Sequence, residues 1–239
     1  MITSEAAGVV LLVAILAYLA IRAVQLLSVK SEYTLGEKLL YAPAYTLARL
    51  LWRVRIAGGK KVIDLPIRGG ILLANHRCSL DPFFVQLAAG RRVHWMVASE
   101  YFKNPLFGSA LKMFQAIPTT RSGSDNAATK RTIALASQGR LVGMFPEGKL
   151  NKTAEPLLPL RPGALLVAKR SKASIIPLWI DGAPRPHEVW RPFFMTAKVT
   201  VYVGAPIEPP EVDDDTPRGE QSQMIRELLL AAAPVRHEL

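Results

Sequence analysis

One cysteine and four histidines are all that 239 residues supply of the side chains that most often cross-link or bind metals. A lone thiol excludes an intrachain disulfide, and so few imidazoles form no cluster at metal-ligand spacing, so neither a metal nor a cofactor is expected. Basic residues are missing ahead of the first apolar run, and Glu5 lies where a secretory signal needs its positive head, which argues against a cleaved leader. The closing Arg236-His237-Glu238-Leu239 is then a chance likeness to a lumenal retrieval tail. Internal repeats and long linkers are also lacking. Residues 208–218, rich in proline and acids, read as a surface excursion before a last helix rather than a domain boundary.

What is abundant is apolar surface and positive charge. Half the residues are apolar, high for a soluble protein and low for one that crosses a membrane many times. Thirty basic residues against nineteen acidic ones give a net charge of +11. Nucleic acid is one partner that such a balance fits, and an anionic membrane surface with phosphate-bearing substrates is another. The amino terminus favours the second, and no nucleic acid is expected. Residues 6–21 hold no charge, and apolar character resumes after Arg22 as far as Leu27. Sixteen uncharged residues fall short of the roughly 20 that span a bilayer, although Arg22 can snorkel and lengthen the span. The expectation is a membrane anchor, spanning or half-inserted. Arg22, Lys30 and Lys38 follow the run with no basic residue before it, so a spanning anchor leaves the rest on the cytoplasmic side of the inner or cytoplasmic membrane.

Residues 39–52 repeat apolar positions at near-helical spacing beside Arg49 and Arg53, which fits either an interfacial helix or one packed on the core. Pro43 is tolerable there only if the helix begins close by. This divides the chain into a membrane-associated segment, residues 1–53, and a catalytic domain, residues 54–239. In that domain, short apolar runs at 54–57, 70–74, 93–98, 115–118, 141–145, 175–180 and 197–203 predict strands. Helices fit at 81–89, 105–114, 123–137, 162–169 and 218–232. Such alternation predicts a layered α/β fold with a mixed, largely parallel sheet flanked by helices. The strand ends would then meet at one edge, where open α/β sheets bind ligands.

Asn75-His76-Arg77-Cys78-Ser79-Leu80-Asp81-Pro82 carries the strongest chemical signal. A histidine held by a carboxylate takes a proton from an alcohol near neutral pH. On one continuous helix His76 and Asp81 would point about 140° apart, so contact requires a turn between them. Asp81-Pro82 also reads as a helix cap followed by the proline favoured at the first helical position. Downstream, Leu141-Val142-Gly143-Met144-Phe145-Pro146-Glu147-Gly148-Lys149 runs from an apolar strand into a turn whose Gly148 N–H and Lys149 suit an anion or a developing oxyanion. Between them, Gln115-Ala116-Ile117-Pro118-Thr119-Thr120-Arg121 delivers an arginine, and Ser174-Ile175-Ile176-Pro177-Leu178-Trp179-Ile180 follows as another apolar strand.

These four segments, in this order, resemble the 1-acyl-glycerol-3-phosphate acyltransferase family, the lysophosphatidate and related glycerolipid acyltransferases. The family's motifs look like Asn-His-x4-Asp, a strand ending in Arg, Phe-Pro-Glu-Gly-Thr-Arg, and an apolar Ile-Pro segment. The likeness covers residues 71–180, and Phe102-Lys103-Asn104-Pro105-Leu106-Phe107-Gly108 is similar to the family's link between the first two motifs. Two positions depart from it: Leu150 stands where the family has a phosphate-binding arginine, and Ala98-Ser99 replaces the basic residue often found before the glutamate at Glu100.

The resemblance implies a membrane-bound O-acyltransferase with His76 as general base and Asp81 as its partner. Asn75, Arg121, Glu147, Gly148 and Lys149 would line the substrate site, with Arg161 and Lys152 as further helpers for the acceptor phosphate. It also implies an acyl-CoA or acyl-carrier-protein thioester as donor and a lysophospholipid, most simply lysophosphatidate, as acceptor. Another acceptor, such as a different lysophospholipid or an amino-acid lipid, remains open, as does a non-catalytic basic protein tethered to membrane lipids. Cys78, two residues from His76, reads as a packed spacer rather than a nucleophile. The four tryptophans, Trp52, Trp95, Trp179 and Trp190, fit either core or interfacial places.

Overall fold

The computed structural model of the chain describes residue 18 and residues 33–57, 62–65, 69–105, 108–120, 126–185, 188–209 and 215–234. The chain divides into two compact units, Met1–Leu47 and Ala48–Leu239. The uncharged run at 6–21 lies outside the described residues apart from Tyr18, so the expected anchor does too. Among the described residues no helix is long and apolar enough to cross a membrane.

Helix α1, Leu35–Leu50, begins four residues earlier than the periodicity predicts and runs through Pro43. A capping box explains the early start. The Thr34 hydroxyl accepts from the Glu37 N–H at 3.3 Å, while Glu37 Oε2 accepts from the Thr34 N–H at 2.6 Å. Within the first unit, Tyr33 stacks on Tyr41 with ring centres 5.8 Å apart, and the Tyr18 hydroxyl meets Thr46 Oγ1 at 3.0 Å.

The second unit is built on a seven-stranded sheet. Its strands are β1 (Arg55–Ala57), β2 (Gly70–Ala74), β3 (Val93–Ala98), β4 (Ile117–Thr119), β5 (Leu141–Met144), β6 (Ile175–Asp181) and β7 (Thr200–Val203). They lie in the order β1-β7-β6-β2-β5-β3-β4, every pairing parallel except β6 with β7. Helices α2 (Asp81–Ala89), α3 (Gly108–Met113), α4 (Asn126–Ser137), α5 (Gly163–Ser171) and α6 (Arg218–Ala231) flank it. The layered, largely parallel α/β architecture is the one the sequence predicts. β2 is buried along its whole length, as a strand covered on both faces must be. Its Ile71 and Leu73 join a core cluster with Ala164, Leu165 and Ala168 of α5 and Ile225 and Leu229 of α6, whereas strand alternation sends Leu72 and Ala74 to the other face.

β2, β3 and α2 have the predicted bounds. β7 is shorter than the run at 197–203 because its pairing with β6 starts only at Asp181 with Thr200. Pro177 fits inside β6 because it meets the β7 side at the end of that ladder, where its carbonyl accepts from the Gly204 N–H at 2.9 Å.

Candidate active site

β2 and β5 are hydrogen-bonded neighbours, so the loops that leave their carboxyl ends meet. The first carries His76 and the second carries Phe145, Glu147 and Gly148. The turn that His76 and Asp81 require is present. Nδ1 of the imidazole lies 3.0 Å from Asp81 Oδ2, with the aspartate side chain 1% exposed and the histidine 17%. The same Oδ2 accepts from the N–H groups of Arg77 at 2.6 Å and Cys78 at 2.7 Å, while Oδ1 is buried without a hydrogen-bond partner. One carboxylate oxygen thus fixes both the ring and the loop that bears it.

This corrects the reading of Asp81 as a cap. Leu80 holds the cap position, and Asp81 is the first helical residue with Pro82 behind it. Its carboxylate turns back to the preceding loop, where three donors converge, rather than forward to the free N–H groups of α2.

The main chain of His76 is held from both sides. Its N–H donates to Glu147 Oε1 at 2.7 Å, and its carbonyl accepts from the Asn151 N–H at 2.7 Å. Glu147 is 3% exposed, and its second oxygen accepts from the Leu158 N–H at 3.0 Å. Burial raises its pKa, opposed by the backbone bonds from Leu158 and His76. The glutamate that the resemblance assigns to the acceptor therefore has both oxygens engaged by backbone donors and braces the histidine loop. Arg77 adds a guanidinium bond to the Glu155 carbonyl. Asn75 is also committed to the main chain. Its Oδ1 accepts from the Ile180 N–H at 2.7 Å and its Nδ2 donates to the Ile180 carbonyl at 3.0 Å, pinning the loop to β6.

Three rings fix the imidazole plane. His76 stacks on Phe145 at 4.0 Å between centres and 13° between planes, and Phe145 stacks on Trp95 at 4.8 Å and 11°. Trp95 lies so close over β5 that a Cβ at Gly143 would stand 2.4 Å from its ring. The sequence motifs assign Phe145 and Trp95 no part in the site. The available signal was Gly143, since a glycine inside a buried strand marks a close approach.

Gly148 has φ +67°, a conformation that favours glycine, and its N–H donates to the Phe145 carbonyl at 3.1 Å. That N–H is therefore occupied by its own turn, which corrects its expected use as an oxyanion donor. The turn has a second reason for glycine. A Cβ there would lie 3.0 Å from Cζ and Nε of Arg161, whose own N–H bonds to the Pro146 carbonyl at 2.9 Å. An exposed guanidinium is thus laid across the Pro-Glu-Gly turn, with Lys149 and Lys152 also exposed. Arg121 lies outside the described residues.

Cys78 is 2% exposed, and burial reinforced by the Asp81 charge pushes its thiol up to about 12. A thiol so far from ionising is a spacer and not a nucleophile. His94 is buried at β3, its Nδ1 3.2 Å from the Gln115 carbonyl, and burial lowers its pKa. Among the described residues no three His, Cys, Asp or Glu side chains gather as metal ligands.

A family profile described as Acyltransferase matches residues 53–181. This chain belongs to the acyltransferase family. The 1-acyl-sn-glycerol-3-phosphate acyltransferase of Bacillus subtilis (strain 168) is 31% identical over 159 residues, 64% of this chain and 75% of that protein. The protein of the same name from Streptococcus pneumoniae (strain R6) is 32% identical over 114 residues, 47% of this chain and 41% of its own length. The fold is shared with the crystal structure of the 1-acyl-sn-glycerophosphate (LPA) acyltransferase PlsC from Thermotoga maritima. That match has a TM-score of 0.61 at 17% identity and covers 90% of this chain and 87% of that one. The resemblance read from four motifs is thus borne out at the level of family, and the chain is an acyltransferase.

Proposed function

We propose that this acyltransferase moves a fatty acyl group from an acyl-CoA or acyl-carrier-protein thioester to the free hydroxyl of a lysophospholipid, most simply lysophosphatidate giving phosphatidate. The observation that carries the reading is the Nδ1 to Asp81 contact beneath a partly exposed imidazole. With Nδ1–H donated to Asp81, the neutral ring presents Nε2 as its lone pair. Nε2 takes the proton as the hydroxyl oxygen bonds to the thioester carbon. The tetrahedral oxyanion then collapses, expelling the thiolate, and the imidazolium returns the proton to sulfur. Asp81 stabilises the imidazolium between the two steps.

Arg121, Lys149 and Arg161 are the basic groups offered to the acceptor phosphate. Arg161 occupies the Pro-Glu-Gly turn that lacks the family's arginine, Leu150 being in its place. A guanidinium can grip phosphate through two parallel bonds, which favours Arg161 over Lys149 as the substitute. Acyl chains add about 0.8 kcal/mol per buried methylene, ample for binding from a bilayer. The proposed place of action is the inner or cytoplasmic membrane, with the catalytic domain on its cytoplasmic side, on the strength of the uncharged amino-terminal run and the basic residues after it.

The test is a panel of lyso-lipids offered with both CoA and carrier-protein thioesters, using the wild type and His76→Ala. Acylation of lysophosphatidate is expected, with a loss of roughly 10²- to 10⁴-fold in the variant at unchanged melting temperature. Turnover of His76→Ala near the wild-type rate defeats the mechanism, and preference for another lyso-lipid moves the acceptor.

A further inference from the structure

Three of the four tryptophans are buried, but Trp190 is 60% exposed, and Phe194 beside it is 81% exposed. They meet edge to face at 6.2 Å on a 3-10 turn, Arg191–Phe194, in the segment between β6 and β7. Phe193 and Val189 extend the exposed apolar surface at 39% and 38%. An aromatic pair left in water in this way marks an interaction site, since a lone exposed apolar residue needs no explanation but a contiguous cluster does.

The turn is firmly mounted. The Trp52 indole, 3% exposed, donates to the Pro192 carbonyl at 3.1 Å, and the Met195 N–H bonds back to Pro192 at 3.2 Å. It is also joined to the catalytic loop, because the Ser79 hydroxyl donates to the Val189 carbonyl at 2.5 Å. Ser79 lies between His76 and Asp81 in the chain. Whatever holds the aromatic turn therefore sits one hydrogen bond from the loop that carries the base.

Charge narrows the partner. Between residues 185 and 198 the chain has Arg185, Arg191 and Lys198, all exposed, against one acid, Glu188, which pairs with Arg191 at 3.6 Å. Aromatic tips on a segment with a basic excess match a phospholipid interface, where indole rings settle at headgroup depth and cations meet lipid phosphate. We propose that the turn at 188–195 inserts Trp190 and Phe194 into an anionic bilayer. The catalytic loop is thereby set at the surface that supplies its lipids, through a contact separate from the amino-terminal run.

The test places an environment-sensitive nitrobenzoxadiazole label on the full-length chain at Phe194→Cys, buried Cys78 staying unlabelled in the folded protein. The labelled chain is mixed with vesicles of equal parts phosphatidylglycerol and phosphatidylcholine. Emission is expected to shift to the blue, rise several-fold and be quenched by lipids brominated high on the acyl chain. A label that keeps its emission in water while the protein sediments with the vesicles overturns the proposal. An equal response on phosphatidylcholine alone overturns the choice of an anionic surface, and a response to an acidic acyl carrier protein without vesicles reassigns the turn to a protein partner. A label at Lys130→Cys, on exposed α4 surface, controls for general adsorption and should stay in water. None of these readouts requires turnover, so their failure is distinct from failure of the proposed reaction.

Discussion

The surroundings of His76 and the basic side chains of the neighbouring turn are built on opposite principles. Around the histidine, backbone N and O, ring Nδ1 and ring face each have a fixed partner in Glu147, Asn151, Asp81 and Phe145. Lys149 and Arg161 stand exposed on the turn, the Arg161 N–H bonded to the Pro146 carbonyl. A buried hydrogen-bonded network tolerates little change, because each lost partner leaves a polar group stranded. Exposed cations can be exchanged at small cost to stability. Reaction chemistry should therefore be brittle in this protein and head-group preference adjustable.

The sharpest break in that contrast is Asp81→Asn. An amide that keeps its oxygen toward the Arg77 and Cys78 N–H groups still accepts from Nδ1–H, since all three bonds end on that one oxygen, but it brings no negative charge to stabilise the imidazolium, so kcat should fall by roughly 10²- to 10⁴-fold with little change in KM. Steady-state kinetics on vesicle-borne lysophosphatidate reads this directly, and a KM effect with intact kcat would move Asp81 out of the base's service. Next comes Glu147→Gln, which sets an NH2 against one of two backbone donors. It should cost about 1 to 3 kcal/mol in urea unfolding and lower kcat as well, since the displaced donor is either the His76 or the Leu158 N–H. Stability near the wild-type value would show that the brace is dispensable.

On the exposed side, Arg161→Ala should raise KM for a phosphate-bearing acceptor by about tenfold, the scale of one charge-assisted contact, and leave kcat and melting temperature near wild type. Partial recovery in Arg161→Lys is expected. Equal loss on acceptors with and without a terminal phosphate would deny the residue its head-group role.

The smallest effect concerns Cys78. The unfolded thiol ionises near 9.0 and the folded one near 12, so its contribution to stability is whole below pH 9 and is lost as pH rises toward 12. Cys78→Ala should flatten the alkaline decline of stability relative to wild type. Iodoacetamide should leave the native thiol unmodified at pH 8 and alkylate it in urea.

How much could be read from the chain depends on whether the deciding partner was a side chain in a pattern. β2 and α2 were legible because an unbroken apolar run and an Asp-Pro start mark them locally. His76 with Asp81 was legible as a pair for the same reason, although not the direction of the carboxylate, which is set by where unsatisfied N–H groups lie. Glu147 as a brace was hidden, since its partners are main-chain donors that every residue carries. The ring stack was hidden too, because Trp95, Phe145 and His76 come from three segments that only the strand order brings together. Nothing in composition separates Trp190 from the three buried tryptophans. That difference depends on its place on the exposed turn between β6 and β7.

The double hold on His76 by residues 147 and 151 has a consequence for anyone re-engineering this enzyme. Transplanting the turn from a relative would drag His76 along, since the donor of one bond and the acceptor of the other travel with the graft. A chimera should exchange both loops together or leave residues 145–151 native and vary only Lys152 onward.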